Sequence, residues 1–109
     1  MPSGKVWDMS STDEANRLDF LFERTVFVDL CTLKGQIEKV ESEVFEIHQL
    51  IGAKKQNLNR IAEEVEDALQ ALETLRRMLL EKHNVNVYMA RVKVKLKNRR
   101  RNFYMKGDE

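Results

Sequence analysis

Helix breakers are scarce in this chain of 109 residues. It has one proline, Pro2, and four glycines. That scarcity leaves few places where a helix must stop, and it suits long amphipathic helices. Only one cysteine is present, Cys31, so an internal disulfide is excluded and a reducing compartment is expected. Aromatic residues amount to 7%, and a chain this short has a limited core, which tight helix packing or a partner would supplement. No apolar run approaches the roughly 20 residues needed to span a bilayer. The opening "MPSGKVWDMSSTDE" lacks the apolar stretch of a secretory signal. A cytoplasmic chain is therefore expected.

Charge, by contrast, is abundant, at 34% of residues. It is also segregated. Residues 1–87 carry 11 basic and 16 acidic side chains, for a net −5, whereas residues 88–109 carry 8 basic and 2 acidic, for a net +6. Two surfaces of opposite sign follow, available within one molecule or between molecules.

Residues 1–10 show little structure-forming pattern and are expected to be a flexible N-terminus, with docking of Val6 and Trp7 on a neighbouring helix as the alternative. Ser11 followed by Glu14 fits a capping box and predicts a helix start. A heptad pattern then settles in through Leu30, Leu33, Ile37, Val40, Val44, Ile47 and Ile51. It resumes in the same phase through Leu58, Ile61, Val65, Ala68, Leu72, Leu75 and Leu79. With Leu30 at position a, every a position to residue 79 is apolar, and the d positions are apolar except Lys54 and Lys82. This pattern predicts helices packed at shallow crossing angles along that seam.

Whether the chain turns at "IGAKKQNL" divides the architectures. Gly52 suits a helix C-cap, Lys54 and Lys55 suit a helix C-terminus, and Asn57 suits a new N-cap. The unbroken phase instead suits one continuous rod from about Asp13 to His83, with Lys54 on its seam. Ala62, Leu69, Ala71 and Met78 occupy e and g positions, and Phe20, Phe22, Val26, Phe27 and Val28 add apolar surface earlier. An apolar face that wide favours a bundle over a two-stranded coil. The expected fold is all-α: an antiparallel bundle of two long helices, about 12–51 and 57–83, plus a shorter basic helix at about 86–104 and a tail at 106–109. The alternative is an extended coiled coil.

Residues 88–97 carry two patterns. Tyr88, Ala90, Val92, Val94 and Leu96 alternate as in a strand, while Val85, Met89, Val92, Leu96 and Phe103 share one helical face. A helix is expected because a lone strand has nothing to pair with. The basic run Arg91, Lys93, Lys95, Lys97, Arg99, Arg100 and Arg101 fits three roles. It can be a solvated face paired with Glu63, Glu64, Glu66 and Asp67, a docking site for an anionic membrane, or a nucleic-acid contact. The last is the least favoured, since no recognisable module accompanies it.

Nothing points to catalysis, a cofactor or a metal. His48 and His83 lie far apart with no ligand partner at helical spacing. Cys31 reads as a small buried hydrophobe beside the seam. The pairs Glu41–Glu43 and Glu63–Glu64 read as helix surface, and no phosphate-binding glycine loop or nucleophile elbow is present.

The stretch Phe27 to Ile47, "FVDLCTLKGQIEKVESEVFEI", resembles the first helix of the N-terminal Habc regulatory domain of syntaxin-type SNARE proteins. Phe27, Leu30, Leu33, Ile37, Val40, Val44 and Ile47 follow its spacing, and Lys34-Gly35 and Ile37-Glu38-Lys39-Val40 match its inner pattern. Leu58 to Leu79 looks like a second helix of that bundle. In a rival match, "NLNRIAEEVEDAL" is similar to the part of a SNARE motif after its central polar layer, with Lys54 where the family has Gln or Arg. The resemblance covers about half of the chain. It implies a non-catalytic regulatory module in vesicle transport that binds SNARE helices or a Sec1/Munc18-type partner. Without it, a self-associating coiled-coil subunit of a larger assembly, with a basic docking tail, is the expectation.

Overall fold

A computed structural model describes residues 20–105. The Ser11–Glu14 capping box, Val6, Trp7 and the tail at 106–109 lie outside the described residues. The described chain is all-helical and falls into two units: Phe20–Asn84, and a second whose described part begins at Val85. The helices are α1 (Phe27–Leu30), α2 (Leu33–Ile51), α3 (Leu58–His83) and α4 (Val87–Arg100).

The chain turns at "IGAKKQNL". Helix α2 ends at Ile51, and the Gly52 amide donates to the His48 carbonyl. Gly52 stays in the right-handed region, at φ −80°, so the stop does not depend on glycine's access to positive φ. Gln56 closes the loop by donating its side-chain amide to the Ile51 carbonyl at 2.7 Å. Asn57 then caps α3, accepting from the Arg60 amide at 3.1 Å. Lys54 is solvent-exposed in this loop. The continuous rod is thereby replaced by a hairpin.

Helices α2 and α3 run antiparallel. Gln36 near the start of α2 reaches Ala71 late in α3, whereas Glu43 further along α2 lies beside Glu64 and Asp67. Small residues at Ala68 and Ala71, only 6% and 4% exposed, let the helices approach closely. Met78, Val40 and Val28 complete the buried apolar core of this unit.

The first expected helix, about 12–51, is corrected within the described residues. Phe20–Val26 has no regular helix, α1 is a single turn, and Cys31 and Thr32 are extended. Two causes are visible. The Leu21 and Phe22 amides donate to the Glu73 carboxylate. Thr32 starts α2 afresh, its Oγ1 accepting from the Gly35 amide at 3.0 Å.

Helix α3 ends on Asn84 in the left-handed region, φ 55°, a conformation asparagine tolerates better than most residues. Asn86 caps α4 through the Met89 amide at 2.9 Å. The alternating pattern of residues 88–97 is accordingly helical, not a strand. Helix α4 stops at Arg100, short of the expected 104, because the chain enters a Schellman motif. Asn102 sits at φ 59° and donates to the Arg99 carbonyl, while the Phe103 amide reaches back to Asn98 at 3.0 Å.

Candidate functional site

The heptad stripes divide between inside and outside. The hairpin interior is built from d and g positions, not from a and d. Val40 and Ala68 at d are buried, and Leu33, Ile47, Ile61 and Leu75 at d are half-buried. At g, Gln36, Glu64, Ala71 and Met78 are all buried. The a positions face water: Leu30, Ile37, Val44, Ile51, Leu58, Val65 and Leu72 are 37–75% exposed, and only Leu79 is half-buried. The expected packing seam is therefore corrected. Half of it packs the hairpin, and the other half is an outward aliphatic face.

The helical wheel fixes where that face lies. Position a sits roughly 60° to one side of d, and g roughly 60° to the other, at about 100° per residue. Because α2 and α3 are antiparallel, their a stripes fall on the same side of the hairpin. Ile37, Val44 and Ile51 of α2 thus run alongside Leu72, Val65 and Leu58 of α3, with Leu69 at the margin, itself 39% exposed.

The opposite side is polar. A cleft of about 170 Å³ there is lined by residues including Phe27, Gln36, Lys39, Glu43, Asp67 and Thr74. Carboxylate oxygens of Glu43, Glu64 and Asp67 lie within 4.8 Å of one another. Desolvation, then repulsion from Asp67, Glu46 and Glu64, raises the Glu43 pKa above its ordinary value. Arg60 offsets part of this charge, pairing with Glu64 at 3.5 Å. From sequence, the pairs Glu41–Glu43 and Glu63–Glu64 read as the surface of two separate helices. Only the antiparallel pairing brings Glu43 to the other two.

Sequence reading also missed a strap. Residues 20–26 lie along the C-terminal half of α3 and are held mainly by polar contacts. Glu73, 9% exposed, accepts from the Leu21 amide at 2.6 Å and the Phe22 amide at 2.7 Å. Arg77 donates to the Phe22 carbonyl at 2.7 Å and stacks over the Phe20 ring at 4.1 Å. The Thr25 and Thr74 hydroxyls share a hydrogen bond of 3.0 Å. Arg24 bridges Asp29 at 3.0 Å and Glu81 at 2.8 Å, and Lys82 reaches Asp29 at 2.7 Å. The hydrogen bonds from Arg24 and Lys82 hold the Asp29 carboxyl well below the usual carboxylate range. The one signal available in sequence was the polar run of α3, whose partners lie about 50 residues away.

The remaining predicted residues do not converge on a reactive centre. His48 and His83 are exposed, and Cys31 is a half-buried free thiol. In the second unit, Lys93, Lys95, Lys97, Arg99, Arg100 and Arg101 are exposed and Arg91 is half-buried. No helix among the described residues is long and apolar enough to cross a membrane. Comparison of the chain with protein-family models, curated proteins and solved structures finds no match.

Proposed function

We propose that the chain is a non-catalytic helical interaction module whose α2–α3 hairpin binds an amphipathic helix of a partner protein. The observation that carries this reading is the outward a stripe. Six aliphatic side chains, Ile37, Val44, Ile51, Leu58, Val65 and Leu72, share one side of the hairpin and are 37–70% exposed. Contiguous apolar patches rimmed by polar residues mark interaction surfaces more often than they mark free ones. Their seven-residue period suits a helix laid at a shallow angle, which inserts its own heptad side chains between them.

The partner class follows from that period and from the Habc-like spacing of Phe27 to Ile47. A SNARE helix is apolar at the heptad spacing this face requires, and a Sec1/Munc18-type protein is the second partner the resemblance implies. The setting would be vesicle transport on the cytoplasmic side of a membrane. Self-association is the other reading, in which two hairpins close their a stripes on each other as a structural subunit.

Titration of a fluorescent SNARE-motif peptide into the full chain tests the reading. Val44→Glu and Leu72→Glu should each weaken binding by roughly tenfold or more, as loss of a central apolar contact does. Their helical circular dichroism should match that of the wild type, because both side chains are exposed. Peptide affinity unchanged by both substitutions would overturn the proposal. A dimer by light scattering that both substitutions dissolve, with no peptide bound, would select self-association instead.

A further inference from the structure

We infer that α4 and the three residues after its C-terminal turn form a docking site for an anionic lipid bilayer. Between Glu81 and Asp108 the sequence has no acidic residue and nine Lys or Arg side chains. Lys93, Lys97 and Arg100 stand at i, i+4 and i+7, so one exposed face of α4 carries three cations. With Val94 and Leu96 they line a shallow groove of about 330 Å³.

Apolar groups are interleaved with these cations and are equally exposed. Met89, Val94 and Leu96 are 46–47% accessible, and Phe103 and Met105 are 66% and 77% accessible. The Schellman turn at Asn102 fixes where Phe103 leaves the helix, so this aromatic is positioned, not frayed. Arg101 lies 5.9 Å from the Phe103 ring and Arg99 lies 5.8 Å from the Tyr104 ring. Each pair presents a cation and an aromatic face together.

A bilayer interface is the polyanion that covers both kinds of group. Its phosphates and serine carboxylates meet the cations. Its acyl boundary takes up the aliphatic and aromatic side chains, while lysine and arginine stems snorkel to the headgroups. A nucleic-acid backbone matches the charge but leaves Leu96, Phe103 and Met105 in water. The site is independent of the hairpin's apolar face and does not rest on the identity of the hairpin's partner.

Co-sedimentation of the full chain with phosphatidylcholine vesicles, with and without phosphatidylserine, tests this. Binding should require phosphatidylserine and fall as salt is raised. The triple variant Lys93→Ala, Lys97→Ala, Arg100→Ala should lose on the order of a hundredfold in affinity, at the contribution typical of a cation near an anionic surface. Phe103→Trp, in a Trp7→Phe background, should shift its emission to the blue on these vesicles and not on pure phosphatidylcholine. A triple variant that binds as well as the wild type would overturn the inference. So would duplex oligonucleotide binding as tight as vesicle binding, with unshifted Phe103→Trp emission.

Discussion

The inner and outer stripes of the α2–α3 hairpin differ in the opposite sense from a simple hydrophobic rule. The outer a stripe is entirely Val, Ile and Leu, yet it faces water. The inner d and g stripes include Gln36 and Glu64, yet these are buried. What the inner stripe has is small size at Ala68 and Ala71 and specific polar bonds, such as Gln36 to the Ala71 carbonyl at 2.9 Å. Close approach of two helices favours small residues at the contact, and the bond from Gln36 Nε2 offsets part of the cost of its burial, although Oε1 of Gln36 and Oε1 of Glu64 are buried without a protein partner among the described residues. The bulkier aliphatic stripe is thereby left for a third helix. Side-chain volume and hydrogen bonding, not hydropathy alone, select which face of a wide apolar helix turns inward.

Truncation on each stripe should break this comparison most sharply. Met78→Ala, at a position 2% exposed, should destabilise the hairpin by about 3 kcal/mol in urea unfolding. Leu72→Ala, at a position 45% exposed, should cost less than about 1 kcal/mol in the chain alone. Equal costs would show that the a stripe is already covered.

Glu73→Ala comes next. It leaves two strap amides without their acceptor and should cost about 2 kcal/mol. Hydrogen exchange should show lost protection at Leu21 and Phe22 while the amides of α3 keep theirs. Uniform loss across the hairpin would mean that the strap is part of the core and not an attachment to it.

The two carboxylates with shifted acidity give a smaller, paired test. Asp29 has a depressed folded pKa, so its contribution is present above the unfolded value of about 3.9. It is lost only as pH falls through the lower folded value. The Asp29 side-chain carboxyl resonance should therefore stay in its ionised position through the ordinary carboxylate range, and Asp29→Asn should remove the corresponding acid limb. Glu43 has the opposite sign. Its folded pKa is raised, so stability falls as pH climbs past the unfolded value of about 4.3. Glu43→Gln should flatten that fall and stabilise the hairpin at neutral pH by less than roughly 1 kcal/mol. Melting temperatures against pH check both.

Legibility from sequence followed the range of the interactions. Asn57 and Asn86 cap their helices through amides three residues on, and their positions could be read directly. The turn after Ile51 was harder, since the heptad phase runs unbroken through a loop that contains Lys54. The stripe a–d–g was visible as an apolar face wider than one seam, but not which two-thirds of it would turn inward. Gln36 and Glu43 are polar, so a reading by hydropathy assigns the interior to a and d. The strap was hidden because Phe20, Phe22 and Phe27 look like more helix, and the Glu73 carboxylate that draws the chain aside is 51–52 residues distant. The outward face, half of the expected seam, is thus present in the heptad count, where periodicity alone does not separate it from the interior.

Helices that share a seven-residue apolar period can mate in several alignments, displaced from one another by a heptad, with nearly the same aliphatic contacts. Gln36 works against that degeneracy. It is fully buried, so its amide must find an acceptor wherever it lands. In the native alignment its Nε2 donates to the Ala71 carbonyl at 2.9 Å, at a small residue whose side chain leaves that carbonyl within reach. The short loop at residues 52–57 limits how far α2 can slide on α3, and the glutamine's bond to Ala71 adds to that limit. A buried polar side chain thereby favours the native alignment, the one that sets these aliphatic residues side by side on the outward face.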